Sequence, residues 1–150
     1  MSVHLGTGCL ITNSNEEYLL VQEAKEHAKG KWNLPSGGYS REDEQHEETI
    51  RESAVRETLE ESGLKTEIEG LIGIYTRDAQ RTNKKNVNII FEASKIGGKL
   101  GNFKQDEIMD ARFFSKSEIK NLELRFDIIK IIEDFETEGS QKTNIKQLKF

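Results

Sequence analysis

Three carboxylates, Glu57, Glu60 and Glu61, stand at i, i+3 and i+4 in the run Arg56-Glu57-Thr58-Leu59-Glu60-Glu61-Ser62-Gly63-Leu64. On a helix that spacing places them within about 100° of one face. Like charges so placed destabilise a helix by ~0.2–0.5 kcal/mol per pair, and near a C-terminus the macrodipole also disfavours anions. Two readings answer this strain. Either the face is an ordinary solvated acidic surface with Arg56 and Lys65 as partial counter-charges, or it gathers hard divalent cations, which take oxygen ligands.

The elements that must position these residues follow from the flanking sequence. Residues 41–62 hold no Gly or Pro and are rich in Glu, Arg and Ala, which predicts a helix starting as early as Arg41, with Ser40 and Asp43 as a capping pair. Gly63 supplies the left-handed stop. Val55 and Leu59 form an apolar stripe expected to pack, with Glu57 and Glu61 nearly opposite, in line with Ile50 and Ala54. Upstream, Gly30-Lys31-Trp32-Asn33-Leu34-Pro35-Ser36-Gly37-Gly38 reads as a short strand entering a special loop. Pro35 holds Leu34 extended, and the paired glycines permit a sharp turn with close backbone approach. Trp32 is read as a core residue, with a substrate platform as the alternative.

The rest of the chain supplies strands and two further helices. Residues 3–12 and 18–21 around the turn Asn13-Ser14-Asn15 predict a hairpin. Residues 64–77 and 87–93 read as antiparallel strands, residues 96–99 as a turn, and 111–114 as a short strand. Ser115 with Glu118 forms a capping box for a small helix, and Phe126, Ile128, Ile129, Ile131, Ile132 and Phe135 mark a longer one. The domain is expected over residues 1–136, with 137–150 as a polar tail in which Ile145, Leu148 and Phe150 could dock.

Composition narrows the function. A chain of 150 residues with 34% hydrophobic and 33% charged residues fits one domain with its own core. The net charge of −5 argues against nonspecific binding of nucleic acid or anionic membranes, which relies on basic patches. Nine acids but only three arginines fall in residues 41–61, so a phosphate-bearing substrate there would need metal to mediate. The lone Cys9, flanked by Leu10 and Ile11, excludes an intrachain disulfide and a cysteine zinc site and reads as a buried strand thiol. No apolar run reaches the ~20 residues of a membrane span. The start Met1-Ser2-Val3-His4 lacks the build of a signal peptide, so the cytoplasm is the expected compartment.

The stretch from Glu48 through seven residues to Arg56-Glu57-Thr58-Leu59-Glu60-Glu61-Ser62-Gly63-Leu64 resembles the box of the Nudix hydrolases, the MutT-like pyrophosphohydrolases. Gly30, Trp32, Leu34, Pro35, Gly37 and Gly38 look like that family's lead-in, and Asp106-Glu107-Ile108 before Arg112-Phe113-Phe114 resembles its closing strand. Two departures stand out. Thr58 occupies an aliphatic position, and nine residues separate Gly38 from Glu48 where the family has five. Choosing Glu44 restores the glycine spacing but leaves eleven residues before Arg56. The four extra residues amount to about one helical turn and are expected to lengthen the helix at its start.

The resemblance implies an α/β (α+β) fold, an α/β/α sandwich with a mixed β-sheet between helices. It also implies an enzyme that hydrolyses the pyrophosphate bond of a nucleoside di- or triphosphate or a nucleoside diphosphate derivative, releasing a nucleoside monophosphate or phosphate product. Glu57, Glu60 and Glu61 become the expected ligands of Mg²⁺, with Mn²⁺ as the alternative ion. The Gly37 or Gly38 carbonyl and Glu48 are further candidates, and Arg56 would orient the glutamates. Glu107 is the candidate remote general base. Tyr75, Arg77 and Phe103 are candidate contacts for base or sugar. His46 reads as a solvent-facing histidine, and His4 and His27 carry no distinctive context. The expected partner is a nucleotide-type small molecule rather than nucleic acid or membrane, and a homo-oligomer is left open. Residues 21–25 with 124–128 resemble the branch acting on oxidised purine nucleoside diphosphates and small cofactor pyrophosphates. An ADP-ribose-type pyrophosphatase and a ligand-sensing module without turnover are the alternatives.

Overall fold

A computed structural model describes residues 2–39, 48–79, 83–142 and 145. Its strands are β1 (Ser2–Leu10), β2 (Tyr18–Glu23), β3 (Trp32–Asn33), β4 (Ser36–Gly38), β5 (Leu64–Ala79), β6 (Lys84–Gly98) and β7 (Ile108–Phe114). Its helices are α1 (Ile50–Ser62), α2 (Lys116–Ile119) and α3 (Ile128–Glu138). None of the described helices is long and apolar enough to cross a membrane.

The strands form two sheets. One is mixed, in the order β4-β1-β6-β5 with β1 parallel to β6, and the other is antiparallel, in the order β3-β2-β7. The hairpin expected from β1 and β2 is therefore only a tight turn. Asn13 Oδ1 accepts from the Asn15 and Glu17 amides at 3.0 Å each, and the Leu19 amide reaches the Ile11 carbonyl at 3.0 Å. Beyond that turn the strands part into different sheets, because each has buried side chains on both faces and must be covered twice. The turn expected at residues 96–99 also moves on, since Gly98 still pairs with Leu64 and the chain reverses over the next residues.

Side-chain alternation divides these strands between two cores, which makes the α/β/α sandwich. Leu10, Tyr18, Leu20, Trp32, Leu34 and Ile90 pack with Ile119 of α2 and Ile128, Ile131 and Ile132 of α3. Cys9, Ile11, Leu19, Ile89, Phe91 and Ala93 pack with Ala54 of α1 and with Leu64. Burial pushes the Cys9 thiol up to about 12, so it is inert at neutral pH. After α3, Leu71 and Gln141 exchange both backbone hydrogen bonds at 2.8 Å, and Ile145 packs on the α1 side.

Helix α1 departs from expectation at its start and in the face it buries. Thr49 is extended (φ −74°, ψ 164°) and caps the helix, its hydroxyl accepting from the Glu52 amide at 3.1 Å while Glu52 Oε1 accepts from the Thr49 amide at 3.2 Å. That reciprocal cap fixes the start at Ile50, not Arg41. Ser40, Asp43, Glu44 and His46 lie outside the described residues, as do Leu148 and Phe150. The buried face carries Ser53, Ala54, Glu57, Thr58, Glu61 and Ser62, whereas Leu59 is 45% exposed. Small side chains bring the helix close to the sheet, and the Thr58 and Ser62 hydroxyls donate to the Ala54 and Thr58 carbonyls at 2.9 and 2.6 Å. Gly63 ends the helix as expected, at φ 85° with its amide on the Leu59 carbonyl at 2.9 Å.

Candidate active site

The close seating of α1 carries Glu57 and Glu61 onto the loop through β4. Both carboxylates are buried, at 2% and 8% exposure, in a molecule that otherwise keeps most acids at the surface. Glu61 Oε1 accepts from the Ser36 amide at 2.9 Å. Glu57 lies against Gly37 so closely that a Cβ there would stand 2.2 Å from Glu57 Cδ. Gly37 thus serves the close approach that the sequence anticipates.

Arg56 organises the acids around it. Its Nε and Nη2 hold the two Glu48 oxygens at 2.6 and 3.0 Å, and Nη1 reaches Glu57 Oε1 at 3.1 Å and Glu60 Oε2 at 3.3 Å. The fork is the geometry that a guanidinium offers and an ammonium does not. Hydrogen bonding to Glu48 leads the causes that push the Arg56 pKa above its ordinary value, so it is a fixed positive charge. Glu60 turns away from the cavity, with its other oxygen 3.4 Å from Lys104 Nζ.

A cavity of about 310 Å³ opens beside α1, with Glu23, Glu57, Glu61 and Glu107 in its walls. Gly37 and Gly38 line it too. Burial, and then the neighbouring charges of Glu57, Glu23 and Glu107, raise the Glu61 carboxyl well above the usual carboxylate range; the Ser36 amide works against them. Glu23 belongs to the stretch 21–25 that carries a family likeness together with 124–128, and the structure pairs the two: Arg125 Nη1 lies 2.7 Å from both Glu23 oxygens across 102 residues. His27 Nε2 is 3.3 Å from Arg125 Nη2, and Lys25 Nζ is 3.8 Å from Glu107. The acidic cavity is therefore not poor in basic groups, as the sequence suggested, but rimmed by them.

A second cavity of about 260 Å³ adjoins the first, sharing Asn33, Ser36, Asn88 and Phe126 with it. Leu34, Ile90 and Ile131 give it an apolar lining, and Tyr75 and Arg77 stand in its wall. Phe126 has the Arg77 and Arg125 guanidinium carbons 5.2 and 5.0 Å from its ring centroid. Tyr75 donates to Asp134 at 2.8 Å, joining β5 to α3 and leading, with burial first, to a raised phenol pKa. Phe103 reaches neither cavity; it packs against Val21, Ile108 and Ala111.

The donors fit a hard divalent cation. Glu57 and Glu61 of α1 and the Gly37 and Gly38 backbone of β4 line one cavity and offer oxygen donors, and a proton or a cation would relieve the raised Glu61 carboxyl. Among the described residues, no three Asp, Glu, His or Cys side chains already stand grouped at metal-holding positions.

Comparison with known proteins follows the same lines. The model of the NUDIX domain matches residues 2–135. An ADP-ribose pyrophosphatase of Methanocaldococcus jannaschii is 32% identical over 126 residues, covering 83% of this chain and 69% of that protein. An 8-oxo-dGDP phosphatase of Danio rerio is 34% identical over 129 residues, covering 84% of this chain but only 36% of the relative, so the chain spans about a third of its length. In fold, a NUDIX hydrolase from Nitrosomonas europaea superposes with a TM-score of 0.84 at 24% identity, covering 97% of each chain.

Proposed function

We propose, on the premise that this chain belongs to the Nudix hydrolase family, that it is a divalent-metal-dependent hydrolase of the pyrophosphate bond in nucleoside diphosphates and their derivatives. The observation that carries this reading is the cavity walled by Glu23, Glu57, Glu61 and Glu107 beside a second, apolar cavity. A diphosphate fits the first only with cations to offset the carboxylates, and a flat base fits the second.

Glu57 and Glu61, with Glu60 turned inward from Lys104 and the Gly37 or Gly38 carbonyl, would hold Mg²⁺ or Mn²⁺. When bound, the ion neutralises phosphate charge and lowers the pKa of water. Arg56 keeps Glu57 and Glu60 oriented while Glu48 fixes the guanidinium. Glu107 lines the same cavity, which supports its reading as the base that would take the proton of the water attacking phosphorus as the bridging P–O bond breaks. Arg77, Tyr75 and Phe126, which line the second cavity, would contact the base.

The test is product release from ADP-ribose, ADP and 8-oxo-dGDP with Mg²⁺ or Mn²⁺. The wild type is expected to turn over at least one. Glu57→Gln and Glu61→Gln should abolish that turnover, and Glu107→Gln should slow it by about 10²-fold or more. Metal-independent turnover, or full activity in Glu61→Gln, would overturn the assignment. Binding of nucleotide without any hydrolysis would make the chain a ligand-sensing module.

A further inference from the structure

The connection from β6 to β7 is fastened to the C-terminal end of α1. The Lys99, Gly101 and Lys104 amides donate to the Gly63, Ser62 and Glu60 carbonyls at 3.0, 2.9 and 3.0 Å. These are the carbonyls that a helix end leaves without a partner of its own. The Lys104 carbonyl in turn accepts from the Glu107 and Ile108 amides at 3.1 and 2.9 Å, and the adjoining Phe103 packs against Val21, Ile108 and Ala111. Lys104 is therefore pinned through its backbone on both sides. Its side chain alone can move without breaking these bonds.

That side chain meets Glu60. Lys104 Nζ lies 3.4 Å from Glu60 Oε1, while Arg56 Nη1 is 3.3 Å from Oε2. Glu60 stands in the last turn of α1 beside Glu57 and Glu61, where both the macrodipole and the neighbouring carboxylates oppose a negative charge. Glu57 and Glu61 line the acidic cavity, and Glu60 is the one of the three held at its rim. Lys104 supplies the compensating charge there. The two cations on Glu60 differ in how readily they let go. Arg56 is forked between Glu48, Glu57 and Glu60, whereas Lys104 offers a half-exposed, strongly hydrated point charge through a single contact.

We propose that Lys104 is a positioning residue that stands in for the divalent cation on Glu60 and is exchanged for it when the cation binds. This inference rests on the metal-dependent reading above. Without metal, the Lys104–Glu60 pair keeps Glu60 at the rim and steadies the end of α1. Glu60 then turns toward the cavity only by giving Lys104 up, so a cation taken by Glu60 is bound against this pair. Lys104 thereby sets how much Mg²⁺ or Mn²⁺ the site needs, without touching substrate or reacting atoms.

The experiment measures Mn²⁺ binding in the absence of substrate, from the electron paramagnetic resonance signal of the unbound ion, together with thermal melts. Lys104→Gln is expected to bind Mn²⁺ about 2- to 5-fold more tightly than the wild type, the range of one part-exposed ion pair. Its Tm should lie ~1–4 °C below that of the wild type without metal and should match it at saturating Mn²⁺. Lys104→Arg keeps the charge and should bind Mn²⁺ no more tightly than the wild type. Lys99→Gln removes the same charge from the same connection and should leave Mn²⁺ binding unchanged. In a Glu60→Gln background, Lys104→Gln should bring no further gain, because the pair it breaks is already gone. Unchanged or weaker Mn²⁺ binding by Lys104→Gln, an equal gain by Lys99→Gln or in the Glu60→Gln background, or a Tm loss that persists at saturating Mn²⁺ would overturn the role of Lys104 and leave the hydrolase standing. A wild type that binds no Mn²⁺ would remove the metal-dependent reading and this role together.

Discussion

Substituting Gly37 by alanine isolates the contact that brings the loop and α1 together. The Gly37 φ is not left-handed, so the backbone accepts alanine, and the effect is steric. The new Cβ would lie 2.2 Å from Glu57 Cδ and 2.4 Å from each carboxylate oxygen, whereas ordinary contact begins at 3.4 Å. The carboxylate must then retreat by roughly 1 Å, and Glu57 is buried and tied to Arg56, so it cannot swing into solvent. Overpacking of this kind costs about 1–3 kcal/mol, or ~2–4 °C in Tm per kcal/mol for a chain of this size. A 1 Å misplacement at a reacting centre costs about 10²-fold in rate. Thermal melts and metal-dependent turnover of the variant measure both. Gly97→Ala is the control, since its Cβ meets only Lys65 Cβ at 3.8 Å. Adding Glu57→Asp, shorter by one methylene, should recover part of the lost stability, a coupling that a double-mutant cycle reads directly. Activity within twofold of wild type in Gly37→Ala would refute the argument that Glu57 acts from this position.

Two further expectations follow from the charges. The Glu61 carboxyl, raised by burial and by its acidic neighbours, keeps its proton in the folded protein above the unfolded value of about 4.3. Stability from that protonated carboxyl is full below the unfolded value and declines as pH rises through the folded one. Metal-free wild type should therefore lose Tm relative to Glu61→Gln between mildly acidic and neutral pH, and added Mg²⁺ should restore it in the wild type alone; parallel melting curves would count against the site. Arg56→Lys keeps the charge but loses the fork on Glu48, so the Mg²⁺ concentration for half-maximal activity should rise about 10- to 100-fold with little change in Tm. An unchanged metal requirement would show that Arg56 does not position the carboxylates.

Local signals in the chain were the reliable ones. Gly63 as a stop, the capping box of Ser115 and Glu118, the buried Cys9 and the close approach at Gly37 each depend on a few adjacent residues, and the structure repeats them. Thr49 is hard to recognise as a cap because Ser40 offers an earlier one on a run without breakers. Hydrophobicity points to Val55 and Leu59 as the packing face, while close seating against the sheet favours the small Ala54, Thr58 and Ser62. Glu23 and Arg125 lie in the stretches 21–25 and 124–128 whose family likeness is legible, but their pairing is not, and Asn86 and Asn88 carry no signal in the chain. They meet the cavity only through pairings between distant strands, and no spacing in the chain encodes a register.

The parallel pairing of β1 with β6 also sets an order of events. Its partners run from Ser2 with Lys84 to Leu10 with Glu92, a constant separation of 82 residues. β1 has no neighbour in its sheet beyond the short β4 until β6 has been synthesised. The local hairpin of β5 and β6 can close before this distant pairing, because loop-closure entropy delays long-range contacts. The wall that His4, Gly6, Asn86 and Asn88 give the acidic cavity is then among the last surfaces to assemble, so a nascent chain has no complete pocket until its fold is nearly finished.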